Sequence, residues 1–291
     1  ILDDKIIFLS NISGHNSLYA MNYGGSVPEP LLPPNIVLQN PHLIGGKSYG
    51  IFGDLEKILV MIDQDGDENY QPMEIPIRGG FPVPAFNNFF QNTRCHLGYI
   101  NENKNLCFIM AESREEGMVR TYLCRYDLGE VQEIFASPYG GFPAAMNEDY
   151  SRIVLVEGYM VGDSAAYLWE KDKGLHLLYG KPLEQRKKGE EVALNAFGRG
   201  FFTEDNGLVF DNAIIQDTYG LGYLNLDNPE EVLEVPFTGL QHRGVGEFVG
   251  FEPLENGRFM LEFNIDGVSW AYEAEYILER KIMRAINLLV G

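Results

Sequence analysis

The stretch Leu106–Phe135, LCFIMAESREEGMVRTYLCRYDLGEVQEIF, lies over Ser151–Gly180, SRIVLVEGYMVGDSAAYLWEKDKGLHLLYG, without a gap at an offset of 45 residues. Gly117 falls on Gly162, Tyr122-Leu123 on Tyr167-Leu168, and Gly129 on Gly174. A further copy, GLVFDNAIIQDTYGLGYLNLDNPEEVLEV, starts at Gly207 and carries Tyr223-Leu224 in the marked place. Looser copies start at Lys5, Lys57 and Arg258, so unit starts fall near residues 6, 58, 107, 152, 208 and 259. A period of this length is the mark of supersecondary units that stack because none can hide its apolar faces alone.

Each unit reads as an apolar strand, a Gly/Asp/Asn turn, an aromatic-bearing strand, a second turn and a further strand. Four of the starts follow another short strand and tight turn: CHLGYINENKN, FPAAMNEDYS, GRGFFTEDNG and FVGFEPLENG. Four short antiparallel strands in roughly fifty residues is the pattern of a β-propeller blade. The expected fold is therefore all-β: a single β-propeller over residues 1–291, with six four-stranded blades and seven as the alternative count. Stripes of helical period are almost absent. The exception is EYILERKIMRAINLL, where Leu278, Ile282, Ile286 and Leu289 could line a helix face. The repeat predicts strands there. Unit one has no room for an innermost strand before Ile6, so either the C-terminal segment or a longer parent chain supplies it.

With 22 basic against 42 acidic residues the net charge is −20. That field repels phosphate backbones and anionic lipid, which argues against nucleic-acid and membrane-surface roles. Cys95, Cys107 and Cys124 are too few for a disulfide framework and contain no C-x-x-C pair. They read as buried structural thiols in a reducing, cytoplasmic setting. No apolar run approaches a membrane span. The chain starts at ILDDKIIFLS, without Met and almost directly on a strand, and stops at LLVG. The expectation is a segment of a longer parent.

Acidic residues stand at every second position in MIDQDGDENYQPMEIPIRGG, Met61 to Gly80. Asp63, Asp65, Asp67, Asn69, Gln71 and Glu74 match positions 1, 3, 5, 7, 9 and 12 of an EF-hand count. Glycine is needed at position six, however, and Glu68 stands there while Gly66 is at four. The flanks are also strand-like. The stretch reads as a hairpin tip between the second and third strands of blade two, where Asp, Asn and Gly suit the backbone. Asp63, Asp65 and Asp67 are then only nominal metal candidates, and no cofactor is expected.

DQDGDENYQ followed by IPIRGG, with the opening IIFLSNISGHNSLYAMNYGG, resembles the propeller repeats of the prolyl oligopeptidase family of serine peptidases and their TolB-like, WD40-like relatives. In those peptidases the propeller caps an α/β-hydrolase domain and admits only small peptides. The resemblance implies a non-catalytic propeller whose partners are its own hydrolase domain and a peptide substrate. The catalytic half is missing from the sequence. A nucleophile elbow needs G-x-S-x-G, followed in chain order by Asp and His. The nearest match, GDSAA at Gly162–Ala166, lacks the last glycine, and Ser164 lies at the start of an ordinary blade strand. No catalytic residue is expected in this chain.

By the repeat register one propeller face collects His42, Arg94, His96, Arg199, His242 and Arg243 near the starts of inner strands. It also collects His15, Asp63 to Glu68, Glu115, Glu116 and Asp163 from the outer loops. The histidines could bind a metal at the channel, as in a lyase- or lactonase-type propeller, but no H-x-H or i, i+4 spacing supports a site. The arginines could clamp a carboxylate, or simply pair with the acidic excess. Trp169, Trp270, Tyr122, Tyr167, Tyr223 and Tyr272 recur at the third strand, as packing between equivalent blades requires. KPLEQRKKGEEVALNAF, residues 181–197, is the one long insertion. It reads as a solvated charged loop or as part of a seam with a hydrolase domain.

Overall fold

A computed structural model describes residues 4–41, 47–63 and 66–291. The chain forms two compact units, residues 1–141 and 142–291. Among the described residues there is no α-helix, only strands and short 3-10 turns.

The first unit holds three sheets. The first has three strands, Lys5–Ser10, Ser17–Asn22 and Glu29–Pro30. The second runs Tyr49–Phe52, Lys57–Ile62, Gln71–Pro76 and Val83–Pro84. The third runs Arg94–Asn101, Leu106–Ser113, Met118–Arg125 and Glu130–Ser137. All are antiparallel with neighbours consecutive in sequence. The run KILVMI shows why the sheets stack. Alternate side chains of a strand point to opposite faces. Ile58, Val60 and Ile62 enter one core with Leu18 and Ala20 of the first sheet, while Leu59 and Met61 enter another with Cys107 and Ile109 of the third. Both faces are covered, so the strand is apolar throughout.

The second unit repeats the plan. Its sheets are Phe142–Met146, Arg152–Met160, Asp163–Glu170 and Gly174–Tyr179 (fourth sheet), then Gly200–Phe202, Gly207–Asn212, Gly220–Asn225 and Asn228–Val235 (fifth sheet). The sixth contains Gly246–Pro253, Arg258–Ile265, Val268–Ile277 and Ile282–Val290, with Phe237–Thr238 added parallel to the last strand. Leu208 and Phe210 face the fourth sheet, and Val209 faces the sixth. The glycines that aligned in the sequence sit in equivalent turns with left-handed backbone: Gly117 and Gly162 at φ 63° and 78°, Gly129 and Gly174 at 65° and 79°.

The helix-like spacing in EYILERKIMRAINLL is overridden by pairing. Ile277 is opposite Ile282 across a turn at Leu278–Arg280 that is closed by Lys281 in the left-handed region. Its last strand belongs to the sixth sheet, and among the described residues the first sheet has three strands, so the C-terminal segment does not supply its innermost strand. The three cysteines are buried free thiols, and burial pushes Cys95 up to about 12. Tyr122, Tyr223, Tyr272 and Trp169 are buried, as the packing reading expects.

Candidate functional site

The second unit contains a cavity of about 310 Å³. It opens where the turn after Arg152–Met160 meets the connection leading into Gly200–Phe202 and the first strand of the sixth sheet. The walls include Val156, Gly162, Asp163, Phe197, Gly198, Asp211, Tyr219 and Phe248. Val156 and Asp211 belong to the second strands of the fourth and fifth sheets, and the other walls come from inner strands, the segments leading into them, and the connections between second and third strands.

The 181–197 insertion builds one side of the cavity. Arg186 folds back and makes a two-pronged ion pair with Asp163, at 2.6 and 2.8 Å. Its other donors reach the Lys181 carbonyl, and its guanidinium lies over the Tyr159 ring, 4.9 Å from the centroid. The Arg186 and Asp163 side chains are only 9% and 13% exposed. The insertion thus combines exposed lysines and glutamates with a buried anchor. Replacing Arg186 with Ala leaves Asp163 without its charged partner and should cost about 1.5–3 kcal/mol. Lys should recover only part, because an ammonium cannot reproduce the fork. Urea midpoints of the three proteins check this.

Ser164 is held by the same insertion. Its hydroxyl donates to Asn195 Oδ1 at 2.8 Å, its N–H donates to the same oxygen at 3.1 Å, and Asn195 Nδ2 donates to the Ser164 carbonyl at 2.7 Å. An amide oxygen cannot take a proton as a base does, so this geometry does not activate a nucleophile. Behind it, Phe197 stacks on Phe210 with centroids 3.9 Å apart, which fixes the floor of the loop.

Asp211 is the charged member of the strand LVFDN and was not singled out by sequence. Its backbone is fully used: the N–H donates to the Arg199 carbonyl and the C=O accepts from Gly198. Its carboxyl lies so close to Gly198 that a Cβ there would fall 1.7 Å from Oδ1. Burial pushes Asp211 up to about 7, against the opposing pull of the Arg199 charge and an Arg199 backbone hydrogen bond. No sequence motif marks this residue, because its surroundings come from Gly198, Tyr219 and Phe248.

The sequence candidates fall as follows. His42 and Asp65 lie outside the described residues. Arg94 and His96 share one face of the strand Arg94–Asn101 in the first unit. Arg94 approaches Glu68 at 3.9 Å, and its Nε is buried without a hydrogen-bond partner. His96 Nδ1 lies 3.3 Å from Gln39 Nε2, and burial, aided by Arg94, lowers its pKa. In the second unit Arg199 pairs with Glu252. His242 shares a 3.0 Å hydrogen bond with Tyr272 Oη and packs among Phe263, Trp270 and Tyr272. Arg243 is exposed. The acidic tip is a hairpin tip, as expected: Asn69 N–H donates to Asp67 and Glu68 N–H to Asp63. Among the described residues no three His, Cys, Asp or Glu side chains are grouped to hold a metal ion.

No family model matches the sequence, and no curated protein matches it. Solved structures do. A prolyl endopeptidase, studied for the role of inter-domain dynamics in catalysis and specificity, superposes over 100% of this chain with a TM-score of 0.64 at 8% identity. The fold is that of part of a prolyl endopeptidase. This chain covers 42% of that protein. A puromycin hydrolase matches over 94% of this chain and 44% of its own (TM-score 0.59, 14% identity). Prolyl oligopeptidase B from Galerina marginata, bound to a 35-residue substrate of hydrolysis and macrocyclization, matches over 99% and 41% (TM-score 0.59, 9% identity). The chain thus spans less than half the length of each.

Proposed function

We propose that residues 1–291 are the non-catalytic propeller of a prolyl-oligopeptidase-like serine peptidase. In this reading the six sheets are the blades of one TolB-like domain in the cytoplasm. The domain docks an α/β-hydrolase part and filters the peptides that reach it. The observation that carries the reading is the likeness to prolyl endopeptidase structures over this entire chain but only 42% of theirs. Arg94, His96, Arg199, His242, Arg243 and His42 are its candidates for contact with passing peptide. The engaged Ser164 supports placing the chemistry elsewhere.

The test is the reading frame beyond the codon for Gly291. A G-x-S-x-G between an apolar strand and a helix, followed by Asp and His, is the expected result. A stop codon directly after Gly291 would remove the hydrolase part and with it this function.

A further inference from the structure

Cys107 and Cys124 stand directly opposite one another on the two middle strands of the third sheet, Leu106–Ser113 and Met118–Arg125. Directly opposed residues of an antiparallel pair project to the same face, with Cα atoms about 4.5 or 5.5 Å apart. A disulfide spans Cα separations of about 4.4–6.8 Å, so either kind of pair is within its reach. Both side chains are fully buried, in the core that the third sheet shares with Phe52, Leu59 and Met61 of the second. The two thiols share a hydrogen bond. Burial, and then that bond, hold the Cys124 thiol well above its ordinary range. Cys95 enters the same core but stands opposite Ala111, and its sulfur lies 3.4 Å from Thr93 Oγ1. The register thus brings two of the three cysteines together and leaves the third apart.

We propose that Cys107 and Cys124 are a dithiol site that closes to a cross-strand disulfide in the presence of a small disulfide oxidant, giving the third sheet a reversible staple. One cysteine thiolate attacks the oxidant's S–S bond, which forms a mixed disulfide and releases one oxidant thiolate. The facing thiolate then attacks the protein sulfur of that mixed disulfide. The Cys107–Cys124 bond forms and the second oxidant thiolate leaves. The two cysteines lose two electrons and two protons, and the oxidant becomes two thiols. The nucleophile is the thiolate, and the closed sheet keeps both groups protonated and shielded from the oxidant. Exchange therefore waits on local opening of the third sheet, and reclosing presents the facing pair to one another. Once made, the bond restrains the open chain between residues 107 and 124 and shifts the equilibrium toward the closed sheet. This inference does not depend on the peptidase reading.

The experiment holds the full chain, residues 1–291, in oxidised glutathione near pH 8 with urea below the unfolding transition, then blocks free thiols with iodoacetamide in denaturant. Trypsin cuts after Arg94, Lys104, Arg114, Arg120 and Arg125, which places the three cysteines in separate peptides, 95–104, 105–114 and 121–125. The expected product is 105–114 joined to 121–125, lighter than their sum by two hydrogens, with Cys95 alkylated. Hydrogen exchange in Leu106–Ser113 and Met118–Arg125 should slow by about tenfold or more in the oxidised protein, and dithiothreitol should reverse both changes. Cys95→Ala should keep the bond, and Cys124→Ala should lose it. Three alkylated cysteines, glutathione adducts that do not close, a bond that includes Cys95, or unchanged exchange in a chain that carries the bond would overturn the assignment.

Discussion

Asp211→Asn should make the protein more stable near pH 8, by about 2–4 kcal/mol. A carboxyl normally ionises near 3.8, but in the folded chain Asp211 holds its proton until about pH 7. Between these values the folded state binds more protons than the unfolded chain, so stability falls as pH rises from about 4 to about 7 and is then level. Asn resembles the protonated form and removes this loss. Below about pH 4 the two proteins should be equally stable. Urea unfolding followed by tryptophan fluorescence reads the effect in the right place, since Trp169 and Trp270 both lie in the second unit. A difference that does not depend on pH would show that Asp211 ionises normally.

Phe210→Ala should cost about 3–5 kcal/mol. The ring is fully buried, belongs to the core between the fourth and fifth sheets, and stacks on Phe197. Phe197 in turn ends the insertion that carries Asn195 and lines the cavity. Loss of the ring therefore removes both packing between sheets and the floor of the loop. Phe210→Leu keeps most of the volume and should lose less than about 1.5 kcal/mol. The same urea titration checks both variants.

The fold was legible because its signal is redundant. Every unit repeats the same apolar run, and Gly117, Gly129, Gly162 and Gly174 mark turns that only a residue free of steric limits enters readily. Even the misleading spacing of Leu278, Ile282, Ile286 and Leu289 was settled by the repeat, since a strand partner was available in Val268–Ile277. Among the described residues the first sheet lacks an inner strand, which was legible too, but not its source. One alternative gave way because the last strand pairs within the sixth sheet.

The site was less legible, because chemistry here arises from residues brought together over long sequence distances. Asp163 was placed on the right kind of loop, yet its partner Arg186 sits in an insertion that reads as solvated charge. Ser164 looked like half of a motif until Asn195, 31 residues on, claimed its hydroxyl. Asp211 gave no signal at all. An acid after Leu208, Val209 and Phe210 reads as the end of a buried strand, and only the close approach of Gly198 shows that it stays beside the cavity.

The proposed function makes this chain the non-catalytic scaffold of a peptidase. Incubating purified residues 1–291 with a fluorophosphonate probe and with prolyl chromogenic substrates tests it directly. The account predicts no covalent labelling and no turnover above the uncatalysed rate, with Ser164→Ala indistinguishable from the parent sequence. Saturable turnover that is blocked by the probe and lost in Ser164→Ala would contradict it.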